Sequence, residues 1–143
     1  MDVISSAEQK CADNGVKLTK RRKQVLTALV ECNAAVSAYE LTELCNQQGY
    51  TAMPAMSVHR ILDFLEGQSL VHRLSTTNKY IACSHISCQH SHFRRPQFLI
   101  CNDCTRVQEV DVTSETLSAI ERVAAKADLS NDVREVVTRA LAE

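Results

Sequence analysis

The chain of 143 residues has no tryptophan, only three glycines and two prolines, and aromatic residues make up 4% of it. So little glycine and proline excludes collagen-like and low-complexity sequence. Hydrophobic residues at 45% and charged residues at 23% exclude a disordered chain. Net charge is also missing, with 16 Lys+Arg against 17 Asp+Glu, which rules out a polybasic tail. No stretch approaches the roughly 18 apolar residues of a membrane span. The opening MDVISSAEQK has neither the basic region nor the apolar run of a signal peptide. These absences predict a soluble, cytoplasmic protein of one domain or two small ones.

Cysteine, by contrast, is plentiful. Seven is an odd number, in a chain without an export signal, so metal binding or free thiols outrank a disulfide framework. Cys11, Cys32 and Cys45 fall within helical patterns, where cysteine behaves as a small buried hydrophobe. Cys83, Cys88, Cys101 and Cys104 share one 22-residue window with His85, His90 and His92. That clustering suggests metal.

Four helices are legible before the midpoint. The first covers residues 5 to 15, with Ser5 or Ser6 as cap and Gly15 as stop. A second begins at Thr19, with Val25, Leu26, Leu29 and Val30 on one stripe and Lys17, Lys20, Arg21, Arg22 and Lys23 at its start. Ser37 and Glu40 form a capping box for a third, which ends by Gly49. A fourth spans residues 56 to 66. Its Val58, Ile61, Leu62 and Leu65 face a core, while Ser57, His59, Arg60 and Asp63 lie outside. LVHRL and KYIAC around STTN then read as a β-hairpin. This order is that of a winged helix-turn-helix, in which one helix enters the DNA major groove.

Residues 84 to 96 are polar and His-rich and read as a linker. Strands at 97–101 and 107–112 and a helix through Leu117, Ile120, Val123, Ala124 and Ala127 then form a second domain. Val133, Val136, Val137, Ala140 and Leu141 fit a helix capped by Asp132 and Glu135, and their β-branched content also fits a strand. The fold class expected is α+β.

If Ser75 to Asn78 form the hairpin turn, Leu74 pairs with Lys79 and His72 with Ile81. His72 and Cys83 then share one face as diagonal neighbours, roughly 7 Å apart at the backbone. An imidazole nitrogen and a thiolate can meet there on a tetrahedral zinc ion, with His90 or His92 and Glu109 as candidates for the remaining corners. Taken singly, His72 also suits a phosphate contact and Glu109 a solvated strand position. Cys101-Asn-Asp-Cys104 is a CxxC half-site that needs a second pair, and none follows it.

Several stretches carry a resemblance: KLTKRRKQVL at 17 to 26, AVSAYELTEL at 35 to 44, SVHRILDFLE at 57 to 66, LVHRLSTTNKYIAC at 70 to 83 and FLICNDCTRVQEV at 98 to 110. With them the sequence resembles the ferric uptake regulator family, and within it the zinc uptake regulator branch, over nearly the whole chain. The resemblance implies a homodimeric repressor of A/T-rich inverted-repeat operators in double-stranded DNA, with zinc as corepressor. It implies a winged-helix domain at 1–83, a hinge loop at 84–96 and a small α/β dimerisation domain at 97–143. Carried over by position, the sensing zinc is held by His72, Cys83, a loop histidine, His90 ahead of His92, and Glu109. Arg60 falls where the family reads a base, which suits bidentate contact to guanine. Ser57, His59, Lys20, Arg21 and Arg22 complete the expected DNA face.

Three departures go with it. His59 stands where the family usually has Tyr, and the loop between Cys83 and Cys101 is about three residues longer than in similar zinc regulators. The second CxxC near the C-terminus is also missing, because this chain ends RALAE. A separate structural zinc on Cys101 and Cys104 therefore lacks half its ligands within one chain.

Zinc-driven repression by population shift requires the closed form to bind zinc better by ~3 to 5 kcal/mol. The competing reading is a thiol redox sensor using Cys101 and Cys104 or Cys83 and Cys88. An iron or peroxide sensor is a further alternative, against which stands the thiolate of Cys83. No GxSxG, HExxH, Walker or Rossmann pattern is present, so neither an enzyme nor a small-molecule substrate is expected. A zinc-storage protein would leave the wing unexplained.

Overall fold

The computed structural model describes residues 2–47, 52–74, 77–87, 97–101, 106–110, 112–126 and 137–140. The chain divides into two compact units, Met1–Gln89 and His90–Glu143. In the first, α1 (Val3–Asp13), α2 (Lys20–Cys32), α3 (Ala38–Gln47) and α4 (Ala55–Gly67) precede the hairpin β1 (Val71–Leu74) and β2 (Lys79–Ala82). This is the winged-helix order expected from the sequence.

Each helix is built by local rules. α1 starts two residues earlier than its serines suggest: Asp2 is the N-cap, and Ser5 and Ser6 lie inside the helix. The apolar row decides the start, since Val3, Ala7 and Cys11 recur at i, i+4 and i+8 against the core. Its end is a Schellman motif. Gly15, at φ 74°, follows Asn14, and the Gly15 and Val16 N–H groups donate to Ala12 and Cys11 carbonyls. Thr19 Oγ1 caps α2 by accepting from the Arg22 N–H at 3.4 Å. Ser37 caps α3: its Oγ accepts from the Glu40 N–H at 3.1 Å and donates to Glu40 Oε1 at 3.2 Å.

α4 buries Val58, Ile61, Leu62 and Leu65 on the stripe read from its sequence. Its end differs from expectation. Gly67 is the last helical residue, and the left-handed position belongs to Ser69 at φ 58°. The Ser69 and Leu70 N–H groups donate to the Glu66 and Leu65 carbonyls, so the Schellman hydrogen bonds hold a side chain where glycine is favoured. Ser69→Gly is therefore expected to stabilise the first unit by about 0.5 to 1 kcal/mol, because relief of Cβ strain outweighs the added entropy of the unfolded chain. A rise in the thermal midpoint checks it; a fall would mean that Ser69 contributes something beyond its backbone shape.

The hairpin pairs Val71 with Ala82, His72 with Ile81, Arg73 with Tyr80 and Leu74 with Lys79. That is the register derived from a turn at 75–78, of which Ser75 and Thr76 lie outside the described residues. Arg73 holds the turn by donating from Nη2 and Nε to Asn78 Oδ1 at 2.7 and 3.1 Å. Val36, between α2 and α3, bridges Tyr80 through both backbone hydrogen bonds at 3.0 and 2.7 Å, so the wing rests on a third short edge. Burial pushes the Tyr80 phenol pKa up. The Cys83 N–H donates to the Leu70 carbonyl at 2.9 Å, which extends the pairing past β2.

The second unit contains β3 (Gln97–Cys101), β4 (Val107–Val110), α5 (Ser114–Lys126) and β5 (Val137–Ala140). β3 is central, antiparallel to β4 and parallel to β5. β4 stops at Val110, before the expected Val112. The segment left open between helix and strand is a strand over Val137–Ala140: pairing with β3 satisfies its backbone and outweighs the helical spacing. The caps considered for a helix there, Asp132 and Glu135, lie outside the described residues. Thr113 caps α5, its Oγ1 accepting from the Thr116 N–H at 3.2 Å. Leu117 and Ile120 are half-buried, whereas Val123 is 67% exposed.

Candidate metal centre and nucleic-acid interface

The hairpin register puts His72 and Cys83 on one face, as the even step between Ile81 and Cys83 requires. Their ligand atoms lie within 4.8 Å of one another. Cys83 is 5% exposed and belongs to the first unit's core cluster, and His72 is half-buried. The backbone N–H of His85 donates to Cys83 Sγ at 3.4 Å.

The pair fits zinc by its donor chemistry. A tetrahedral ion with nitrogen at about 2.0 Å and sulfur at about 2.3 Å needs those atoms about 3.6 Å apart, within reach of a small side-chain rotation. A soft thiolate beside an imidazole also disfavours magnesium and calcium, which take oxygen ligands.

Glu109 sits on β4 of the second unit, half-buried and opposite Phe98. Cys101 ends β3, with Ala140 as its neighbour on β5. His90, His92 and Cys104 lie outside the described residues, as does the side chain of Cys101. Cys11 and Cys45 are buried in the first unit's core, where desolvation raises both thiol pKa values, so they stay neutral and act as hydrophobes. The Arg22 charge offsets part of this at Cys11.

On α4, His59 and Arg60 are exposed and Ser57 is half-buried. Lys20 and Arg21 are exposed at the start of α2. Arg22 is engaged internally instead: its Nη1 donates to the Lys17 carbonyl at 2.7 Å, and its Cζ stands 3.6 Å over the Phe64 ring centroid. A contact of this kind contributes about 0.5 to 1 kcal/mol and ties α2 to α4. Lys17, Lys20 and Lys23 line a cavity of about 460 Å³ beside α1, where Glu8 forms an ion pair with Lys23.

The sequence reading assigned no role to Tyr39 or Met56, which are 69% and 65% exposed at the first turns of α3 and α4. His85 was read only as part of the cysteine and histidine cluster; what it contributes is its peptide groups, which contact Cys83 and α1. Ile86, one apolar residue amid polar ones, was the available signal for that packing.

A winged-helix unit with an imidazole and thiolate pair on its hairpin, followed by a small three-stranded α/β unit, defines a winged-helix protein with a candidate metal centre. The ferric uptake regulator family model matches residues 13–135, and the chain belongs to that family. The zinc uptake regulation protein of Escherichia coli (strain K12) is 36% identical over 108 residues, which are 76% of this chain and 61% of that protein. The matched stretch thus spans about three fifths of that relative. Among solved structures, a zinc uptake regulator complexed with zinc and DNA is 30% identical with TM-score 0.75, covering 98% of this chain and 89% of that one. Holo XcZur is 29% identical with TM-score 0.73, covering 97% and 93%. No helix among the described residues is long and apolar enough to cross a membrane.

Proposed function

We propose that this protein is a zinc-responsive transcriptional repressor that binds A/T-rich inverted-repeat operators as a homodimer and controls zinc uptake genes. The observation that carries the reading is the His72 and Cys83 pair on the wing of a ferric uptake regulator family member. Relatives described as zinc uptake regulators, one of them solved with zinc and DNA, support it. No residue is assigned a catalytic role in this reading.

The residues that would hold zinc are His72, Cys83, a loop histidine, His90 ahead of His92, and Glu109. Zinc held there would supply the positive charge that an imidazole, a thiolate and a carboxylate can share. Arg60 would read a guanine edge, with Ser57 and His59 beside it and Lys20 and Arg21 on phosphates. Arg22, spent on Lys17 and Phe64, contributes through packing. Because His59 replaces the family's usual tyrosine, operator preference would differ at the base it faces. A structural zinc on Cys101 and Cys104 would need two further ligands besides this pair.

The test is retention of fragmented genomic DNA by purified protein in buffered free zinc and in chelator, with the bound fragments sequenced. Zinc-dependent retention of a few fragments sharing an inverted repeat near zinc uptake genes is expected. Equal retention in both buffers overturns zinc control, and no retention in either overturns DNA binding.

A further inference from the structure

The turn after the wing is anchored on both sides, and one anchor is α1. Ile86 is 2% exposed and packs in the first unit's core. Lys10 Nζ donates to the His85 carbonyl at 3.2 Å, joining residues 75 positions apart. Between these anchors the His85 N–H faces Cys83 Sγ at 3.4 Å. The carbonyl that Lys10 holds and the N–H that faces sulfur flank one α-carbon. Fixing the carbonyl therefore restrains the direction of the N–H.

We infer that Lys10 is a positioning residue for the Cys83 sulfur: α1 holds the turn at 84–87 so that the His85 N–H points at the thiolate. The inference rests on Cys83 being a metal ligand. An N–H aimed at sulfur withdraws charge from its lone pairs and limits the rotamers Cys83 can sample, so the sulfur is set in place before metal arrives. Without Lys10 the turn loses its tie to α1, and the N–H is less closely held toward the sulfur. Lys10 is half-buried on the face of α1 that packs on the unit, so this contact is built into the fold rather than made by a free surface side chain.

The experiment uses the full chain with Lys10→Met, which keeps the aliphatic stem and removes the donors, Lys10→Gln as a second loss variant, and Lys10→Arg, which restores a donor. Zinc affinity is read by competition with a chromophoric chelator. The thiolate-to-metal charge-transfer band is read on the cobalt-loaded protein. Both loss variants are expected to bind zinc about 10-fold more weakly. Their charge-transfer band should keep its intensity and move to longer wavelength, because sulfur lone pairs relieved of a hydrogen bond are easier to oxidise. Lys10→Arg should stay near the parent on both readouts. A merely structural role for Lys10 would lower affinity without moving the band, and unchanged affinity and band position would equally overturn the inference. Cys83→Ser separates the two assignments. If it keeps the parent's affinity and band, the ligand assignment fails; if it loses both while Lys10→Met and Lys10→Gln lose neither, only the positioning role fails.

Discussion

Arg60→Ala is expected to reduce operator binding by a factor between about 30 and about 10⁴ while leaving zinc affinity unchanged. A bidentate arginine–guanine contact discriminates by about 1 to 3 kcal/mol. A homodimer makes that contact once per half-site, so the loss is about 2 to 6 kcal/mol in total. Arg60 is exposed on α4, whose opposite stripe of Val58, Ile61, Leu62 and Leu65 is buried, so truncation leaves the helix and its packing in place. The residue lies on another element from the hairpin that carries His72 and Cys83, which is why metal affinity should not move. Titration of a labelled operator in buffered zinc measures the effect. Because Arg60 is assigned to a base rather than a phosphate, the dependence of affinity on salt should keep its slope. Parent-like operator affinity, or loss of zinc along with DNA, would reject the assignment.

The parts of this protein that could be read from its sequence are those governed by a short-range rule. The polar stretch between LVHRL and KYIAC has one turn length that keeps both strands alternating, and register follows from it. That is why His72 fell opposite Ile81 and came near Cys83. Ser37 and Glu40 stand at capping-box spacing, and Ser37 caps the helix through the Glu40 N–H. What was missed depends on long-range partners. Val36 has no period of its own, and only the arrival of Tyr80 makes it an edge of the wing. Val137 to Ala140 reads equally well as helix or strand until β3 offers a ladder. Arg22 looked like one more cation in a basic run, yet Phe64, 42 residues on, takes its guanidinium inward. Ser69 is the local exception, taking the left-handed position two residues after Gly67. Pattern names the residue types; the fold decides which of several partners each one meets.

Cys83→Ser carries the same reasoning to the metal. The hydroxyl keeps the size of the side chain but stays protonated at neutral pH and is a poor zinc ligand, so one of four corners is lost. Zinc held by four protein ligands is worth roughly 10 to 16 kcal/mol, about 3 kcal/mol per ligand, and the expected drop in affinity exceeds about 100-fold. The fold should persist. Cys83 sits at the end of the hairpin, and its N–H bond to the Leu70 carbonyl is made by backbone, which the substitution does not touch. Burying a hydroxyl in place of a thiol costs about 1 to 3 kcal/mol if it finds no partner, which should appear as a modest drop in thermal midpoint. Two readouts then have to agree. Competition with a chelator should show weakened zinc binding, and operator retention in buffered zinc should fall to the level seen with chelator. Weak zinc binding with undiminished operator retention would mean that the wing holds a metal which DNA binding does not need. Unchanged zinc affinity would place the sensing ligands elsewhere, since a tetrahedral site cannot exchange its thiolate for a hydroxyl without loss.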